Sequence, residues 1–107
     1  MVERFDVFLV NLDSDSAGDA KNTRPCVVVS PDEMNRHIHS VMIAPLSAVG
    51  PRAYPTRVPV NFLNSERSVV LDQIRTVDKD RLVKKVGHVE QFEQVRILKC
   101  LADMFAE

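Results

Sequence analysis

The sequence predicts a mainly β fold, a small closed or nearly closed β barrel with short helical additions and one C-terminal amphipathic helix. Three observations carry the prediction. Short runs rich in valine and other β-formers recur along the chain, separated by clusters of Pro, Gly, Asn, Asp and Ser. Helical periodicity sets in only from Glu90. The 107 residues suit one domain, residues 1–107, and a domain of that size buries roughly 60–70% of its unfolded surface without metal or disulfide staples.

Phe5-Asp6-Val7-Phe8-Leu9-Val10 is the first strand, ended by the polar Asn11 to Gly18 stretch, a loop that continues to Thr23. Cys26 to Ser30 is the second, continuously apolar and therefore buried on both faces. Pro31-Asp32-Glu33-Met34-Asn35 forms one helical turn, with Ser30 as its cap and acids where the helix dipole favours them. Val41 to Leu46 is a third strand that stops at Ser47. Ala48 to Thr56, with two prolines and a glycine, is an exposed loop. Arg57 to Val60 is extended, and Pro59 confines it to an edge or a strand end. Ser68 to Leu71 is a fourth core strand.

From Gln73 to Asp78 polar and apolar residues alternate, which puts Gln73 and Arg75 on one polar face and starts Asp72 on the other. A brief turn lies between Thr76 and Leu82, followed by an extended piece from Val83 to Val89. Phe92, Val95, Leu98, Leu101 and Phe105 then recur at three- and four-residue steps. That stripe predicts a helix packing on the core, its C-terminal end available to a dimer.

The net charge of −1 leaves no global field toward nucleic acid, so any such binding rests on a local basic patch. No run approaches the ~20 apolar residues of a membrane span, and the N-terminus has no signal pattern, so the expected address is the cytoplasm, with no membrane partner. Cys26 and Cys100 have no metal-ligand spacing and are expected to be buried reduced thiols. His37 and His39 flank Ile38 in a loop without a third ligand, and His88 is likewise read as solvated. Neither metal nor cofactor is expected.

Arg24, Ser47, Asp72 and Arg75 each sit where an apolar run ends, the usual place for a site built on rigid strands. Pro25 biases Arg24 toward an extended conformation, so the backbone that carries its guanidinium is held rather than swinging in a loose loop. Taken singly, these residues have plain structural readings. Arg24 is then a surface arginine or a partner of Asp19, and Ser47 a turn hydroxyl. Asp72 and Asp78 become partners of Arg75 or turn caps, and Tyr54 packs on Pro55.

Together, in order, they carry a resemblance. Thr23-Arg24-Pro25, the valine run ending at Ser30-Pro31, Asn35-Arg36, Pro45-Leu46-Ser47 and Asp72-Gln73-Ile74-Arg75-Thr76-Val77-Asp78 resemble the MazF/PemK (Kid) family of toxin endoribonucleases from type II toxin-antitoxin pairs. The resemblance spans nearly the whole chain. It implies an SH3-like barrel of the PemK/CcdB type and a homodimer. It also implies metal-independent, sequence-specific cleavage of single-stranded RNA through attack of the 2′-hydroxyl, leaving a 2′,3′-cyclic phosphate and a 5′-hydroxyl, and neutralisation by a cognate antitoxin.

Carried over by position, Arg24 is the catalytic arginine, Ser47 stands where the family has threonine, and Asp72 matches the base proposed in the Kid branch. Asp19 falls near the acidic position of the loop before the arginine. Arg52, Tyr54, Arg57, Gln73 and Arg75 are the expected RNA-binding residues, because stacking and backbone charge hold single strands. Val70 replaces a second arginine of the Kid branch, and the Asp19-Ala20-Lys21-Asn22 loop lacks the usual Glu-Gln and glycine. Two rivals follow: a non-enzymatic CcdB-like toxin that binds DNA gyrase through its terminal helix, and a degenerate member that binds RNA or antitoxin without cutting.

Overall fold

The computed structural model describes residues 1–12, 23–48 and 54–107, so the expectations for Asp19 and Arg52 lie outside the described residues. Its strands are β1 (Asp6–Asn11), β2 (Thr23–Val28), β3 (Ser40–Ala48), β4 (Arg57–Phe62), β5 (Ser65–Val70), β6 (Arg75–Asp78) and β7 (Leu82–His88). Helix α1 (Asp32–His37) follows β2, and α2 (Gln91–Phe105) ends the fold. Two 3-10 turns, Leu71–Gln73 and Lys79–Arg81, bracket β6.

All strand pairings are antiparallel, in the order β4-β5-β3-β2-β1-β7, with β6 also on β3. One edge of β3 carries β2, while the other carries β5 along Leu46–Ala48 and β6 along Ser40–Ile43. Because only the turn Lys79–Arg81 separates β6 from β7, the path β7-β1-β2-β3-β6 curls back on itself as a small barrel.

The two-residue alternation of β3 sorts the core. Val41 and Ile43 point into the barrel with Val10, Cys26, Val28 and Val77. Ala44 and Leu46 point to the opposite side, with Val7, Val27, Val58, Val60, Val69, Leu71, Ile97 and Cys100, where α2 closes a second core. Cys26 and Cys100 are both buried free thiols, and burial pushes the Cys26 thiol up to about 12, so it is unreactive as a nucleophile.

Four local expectations are corrected. Ser30 does not cap α1: its hydroxyl donates to Asn35 Oδ1 (2.6 Å) and accepts from the Met42 N–H (3.0 Å), tying helix to strand, while Pro31 holds the cap position without a side-chain bond. β3 continues through Ser47 to Ala48, because β5 supplies partners there.

The third correction concerns α2. Phe92, Val95 and Phe105 are 56%, 62% and 77% exposed, whereas Glu93, Ile97 and Cys100 are buried and Leu101 and Met104 pack beside them. Both helix faces are apolar at helical spacing, so periodicity alone does not choose between them. The edge of β4 favours the face that carries Glu93. There the Arg57 N–H is taken by Tyr54 O (3.1 Å), Pro59 has no N–H, and the Asn61 N–H reaches Glu93 Oε2 (2.8 Å). The edge is thereby closed to strand addition.

His88 is also not a free solvated side chain. It ends β7 and meets the fully buried Asp6, Nδ1 to Oδ1 at 2.8 Å, with Lys85 Nζ at 3.1 Å and the Glu3 N–H on Oδ2 at 2.9 Å. Burial raises the Asp6 carboxyl, but the His88, Glu3 and Lys85 interactions outweigh it and hold the group below its ordinary 3.8. A carboxyl lowered on folding contributes stability above its unfolded pKa and loses it as pH falls through the folded value. Urea unfolding between pH 7 and pH 3 is therefore expected to show a steep loss of stability below about pH 4, and Asp6→Asn to be less stable at pH 7 with a flatter acid limb. An unchanged acid limb in Asp6→Asn would refute this.

Candidate active site

β2 starts at Thr23, so Arg24 lies inside the strand, paired with Val10 of β1, and is exposed. Pro25 follows it opposite Leu9, and Cys26 Sγ donates to the Arg24 carbonyl at 3.6 Å. The β2–β3 register sets Cys26 against Pro45, and continued by two residues it sets Arg24 against Ser47. Ser47 in turn pairs with Ser68, which pairs with Pro59. Directly paired residues point to the same side of a sheet. Arg24 and Ser47 therefore share the barrel-side face with Cys26 and Ile43, at one end of β3.

Arg75 pairs with Ile43 and lies on that face too. Cys26 registers both cations: burial dominates its thiol, and the charges of Arg24 and Arg75 pull against that rise. Arg57 pairs with Val70, in step with Pro59 and Ser68, and joins the same side of the sheet. With strands about 4.8 Å apart, β2 to β4 covers roughly 15 Å, so Arg24, Ser47 and Arg57 line a track rather than a point.

At the far side of the track the guanidinium of Arg57 lies over the Tyr54 ring, 4.8 Å from its centroid, and its Nε is 3.5 Å from Asp72 Oδ1. Thr56 Oγ1 donates to the same oxygen at 2.9 Å. Tyr54 is thus held by Arg57 and remains 44% exposed. The Thr56 hydrogen bond chiefly holds the Asp72 carboxyl below its ordinary value; burial, the next largest effect, opposes it, and the Asp72 backbone N–H and Arg57 add to the lowering. A base needs the opposite shift, so Asp72 is better suited to positioning Arg57 and Tyr54 than to taking a proton.

Among the described residues neither aspartate joins Arg75: Asp72 goes to Thr56 and Arg57, and Asp78 to Ser40 Oγ at 3.5 Å. Gln73 is exposed in the 3-10 turn, so the polar alternation starts at Arg75 rather than at Gln73. Ser47 Oγ donates to the Ala48 carbonyl at 3.1 Å, a bond easily exchanged for a phosphate oxygen. His37 sits 3.4 Å from Glu33 and His39 3.3 Å from Asp80. Thr56 is the member that sequence reasoning passed over, since only the loop's return beside Asp72 reveals it.

The arrangement has relatives. A family described as PemK-like, MazF-like toxin of type II toxin-antitoxin system matches residues 3–105. An endoribonuclease MazF of Staphylococcus epidermidis is 26% identical over 102 residues, 91% of this chain and 85% of that one. A mycobacterial endoribonuclease, solved in complex with its cognate antitoxin, is 26% identical with a TM-score of 0.81, covering 96% of this chain and 93% of its own. A MazE-MazF structure from Deinococcus radiodurans, at 17% identity and a TM-score of 0.78, covers 98% of this chain and 95% of its own and shares the fold.

Proposed function

Because the chain belongs to the PemK-like, MazF-like toxin family of type II toxin-antitoxin systems, we propose that it is an endoribonuclease that cuts single-stranded RNA at Arg24 and is neutralised by an antitoxin. The observation that carries this reading is the shared face of Arg24, Ser47 and Arg75. It supplies cations and a hydroxyl beside an open track, with Tyr54 presented for stacking.

In the proposed reaction the ribose 2′-oxygen attacks the adjacent phosphorus, the 2′ proton leaves, and the bond to the 5′-oxygen breaks as that oxygen gains a proton. The products are a 2′,3′-cyclic phosphate and a 5′-hydroxyl. Charge gathers on the non-bridging oxygens, and the permanently protonated Arg24 fork matches them bidentately. Ser47 hydrogen-bonds the phosphate, the task given to threonine in the family. Asp72 holds Arg57 and Tyr54 against the RNA, and in this reading Asp19 takes the 2′ proton. Gln73, Arg52 and Arg75 complete the RNA contacts.

The protein acts as a homodimer in the cytoplasm, and the outward apolar face of α2 supports the dimer, since a contiguous exposed apolar patch marks an interface. The test is incubation of a mixed-sequence single-stranded RNA with the protein in EDTA, with the product ends mapped. Cyclic-phosphate ends are expected. RNA left intact with and without EDTA would overturn the reading and leave binding of gyrase or RNA without chemistry, and cleavage abolished by EDTA would overturn the metal-independent chemistry.

A further inference from the structure

Tyr54-Pro55-Thr56-Arg57 is a turn closed by the Arg57 N–H on the Tyr54 carbonyl at 3.1 Å, with proline where its fixed φ suits the turn. Two other elements hold it. The Leu71 N–H donates to the Thr56 carbonyl at 3.0 Å, and Cys100 Sγ of α2 donates to the Pro55 carbonyl at 3.0 Å. These three bonds staple the turn without the Thr56 hydroxyl. That hydroxyl donates to Asp72 Oδ1 at 2.9 Å, the same oxygen that faces Arg57 Nε.

An ion pair as open as that of Arg57 and Asp72 gains little by itself and leaves both side chains free to part. The threonine changes this. Its β-branched side chain is stiff at χ1, so its hydroxyl sets the carboxylate in one orientation, and this hydrogen bond is the largest single influence on that carboxyl. A carboxylate so held keeps Arg57 over the Tyr54 ring, 4.8 Å from its centroid. A ring already held in place loses less conformational freedom when a base stacks on it.

We infer that Thr56 is a positioning residue for RNA: through Asp72 and Arg57 it sets the Tyr54 ring as a stacking platform before the strand arrives. The inference rests on the proposed RNA cleavage. Tyr54 is the chain's only tyrosine and the chain has no tryptophan, so the fluorescence of the free protein reports this ring alone. The test compares wild type with Thr56→Val, which keeps the branched shape without the hydroxyl, and with Thr56→Ser, which keeps the hydroxyl. Thr56→Val is expected to raise KM about tenfold on single-stranded RNA of every sequence tried, because stacking tolerates any base, with kcat within about twofold of wild type. Binding of a dye-labelled 2′-deoxy oligonucleotide should weaken by the same factor, and the Tyr54 fluorescence anisotropy of the free protein should decay faster. Thr56→Ser should stay within about threefold of wild type in each readout. In an Asp72→Ala background Thr56→Val should change KM no further, since its effect runs through that carboxylate.

If wild type cuts RNA and Thr56→Val keeps its KM and its Tyr54 anisotropy, Thr56 positions nothing, while the endoribonuclease reading stands. The inference also fails if Thr56→Ser behaves as Thr56→Val does, if kcat falls at unchanged KM, or if urea titration finds Thr56→Val unfolded, which would make the hydroxyl a staple of the fold. Wild type that neither binds nor cuts RNA overturns the endoribonuclease reading and this inference with it.

Discussion

Replacing Arg24 with alanine is expected to lower kcat on single-stranded RNA by about 10²–10³, the loss seen when one preorganised donor to a developing oxyanion is deleted. The fold predicts little loss of stability, because the side chain is exposed and the strand is held by its backbone pairing with β1. Arg24→Lys tests the cause. It keeps the charge but not the planar fork, so a partial recovery is expected if charge stabilisation operates, and full recovery would show that the bidentate geometry is irrelevant. Cleavage assayed under single-turnover conditions, with binding of a 2′-deoxy substrate analogue measured in parallel, separates a failure of chemistry from a failure of binding. An Arg24→Ala protein that cuts at the wild-type rate would remove Arg24 from the mechanism.

The second large effect concerns α2. Ile97→Ala is expected to destabilise the protein by about 2–5 kcal/mol, because Ile97 is fully buried under the sheet and its loss leaves a cavity. Val95→Ala, two residues earlier on the outward face, is expected to cost the protomer nearly nothing. Val95→Glu should weaken self-association by on the order of 30-fold or more, the scale of an interface hot spot, by placing a charge in the middle of the apolar stripe. Urea unfolding at one protein concentration and sedimentation at several give the two readouts. If Val95→Ala proved the costly substitution and Ile97→Ala the silent one, the helix would face the other way and the closure of the β4 edge by Glu93 would be wrong.

This helix shows how far the chain could be read from its residues. Its existence and its length were legible, since apolar residues recur from Phe92 to Phe105. Its orientation was not. Phe92, Val95 and Leu98 outrank Ile97, Cys100 and Met104 as a stripe, yet the lower-ranked face docks, because a carboxylate at Glu93 meets an otherwise unsatisfied N–H of Asn61. No periodicity in the sequence contains that hydrogen bond.

The site divides in the same way. Arg24-Pro25, Ser47 and the Asp72 to Asp78 string were recognisable because each ends an apolar run and because their order and spacing resemble a family to which the chain proves to belong. Their partners were not recognisable. Asp72 finds Thr56 and Arg57 rather than Arg75, and His88 finds a buried Asp6 82 positions away.

What the sequence by itself determined is the local inventory: which segments extend, where prolines and asparagines turn the chain, that one helix closes it, and which family it resembles. Strand propensity, turn chemistry and residue order act over a few neighbours and are written in the sequence directly. Only the tertiary structure decided which apolar face of α2 is buried and that Arg24, Ser47, Arg57 and Arg75 share one side of the sheet. Those juxtapositions depend on strand order and register, which join residues far apart in the chain and are set by packing and hydrogen bonding of the whole sheet.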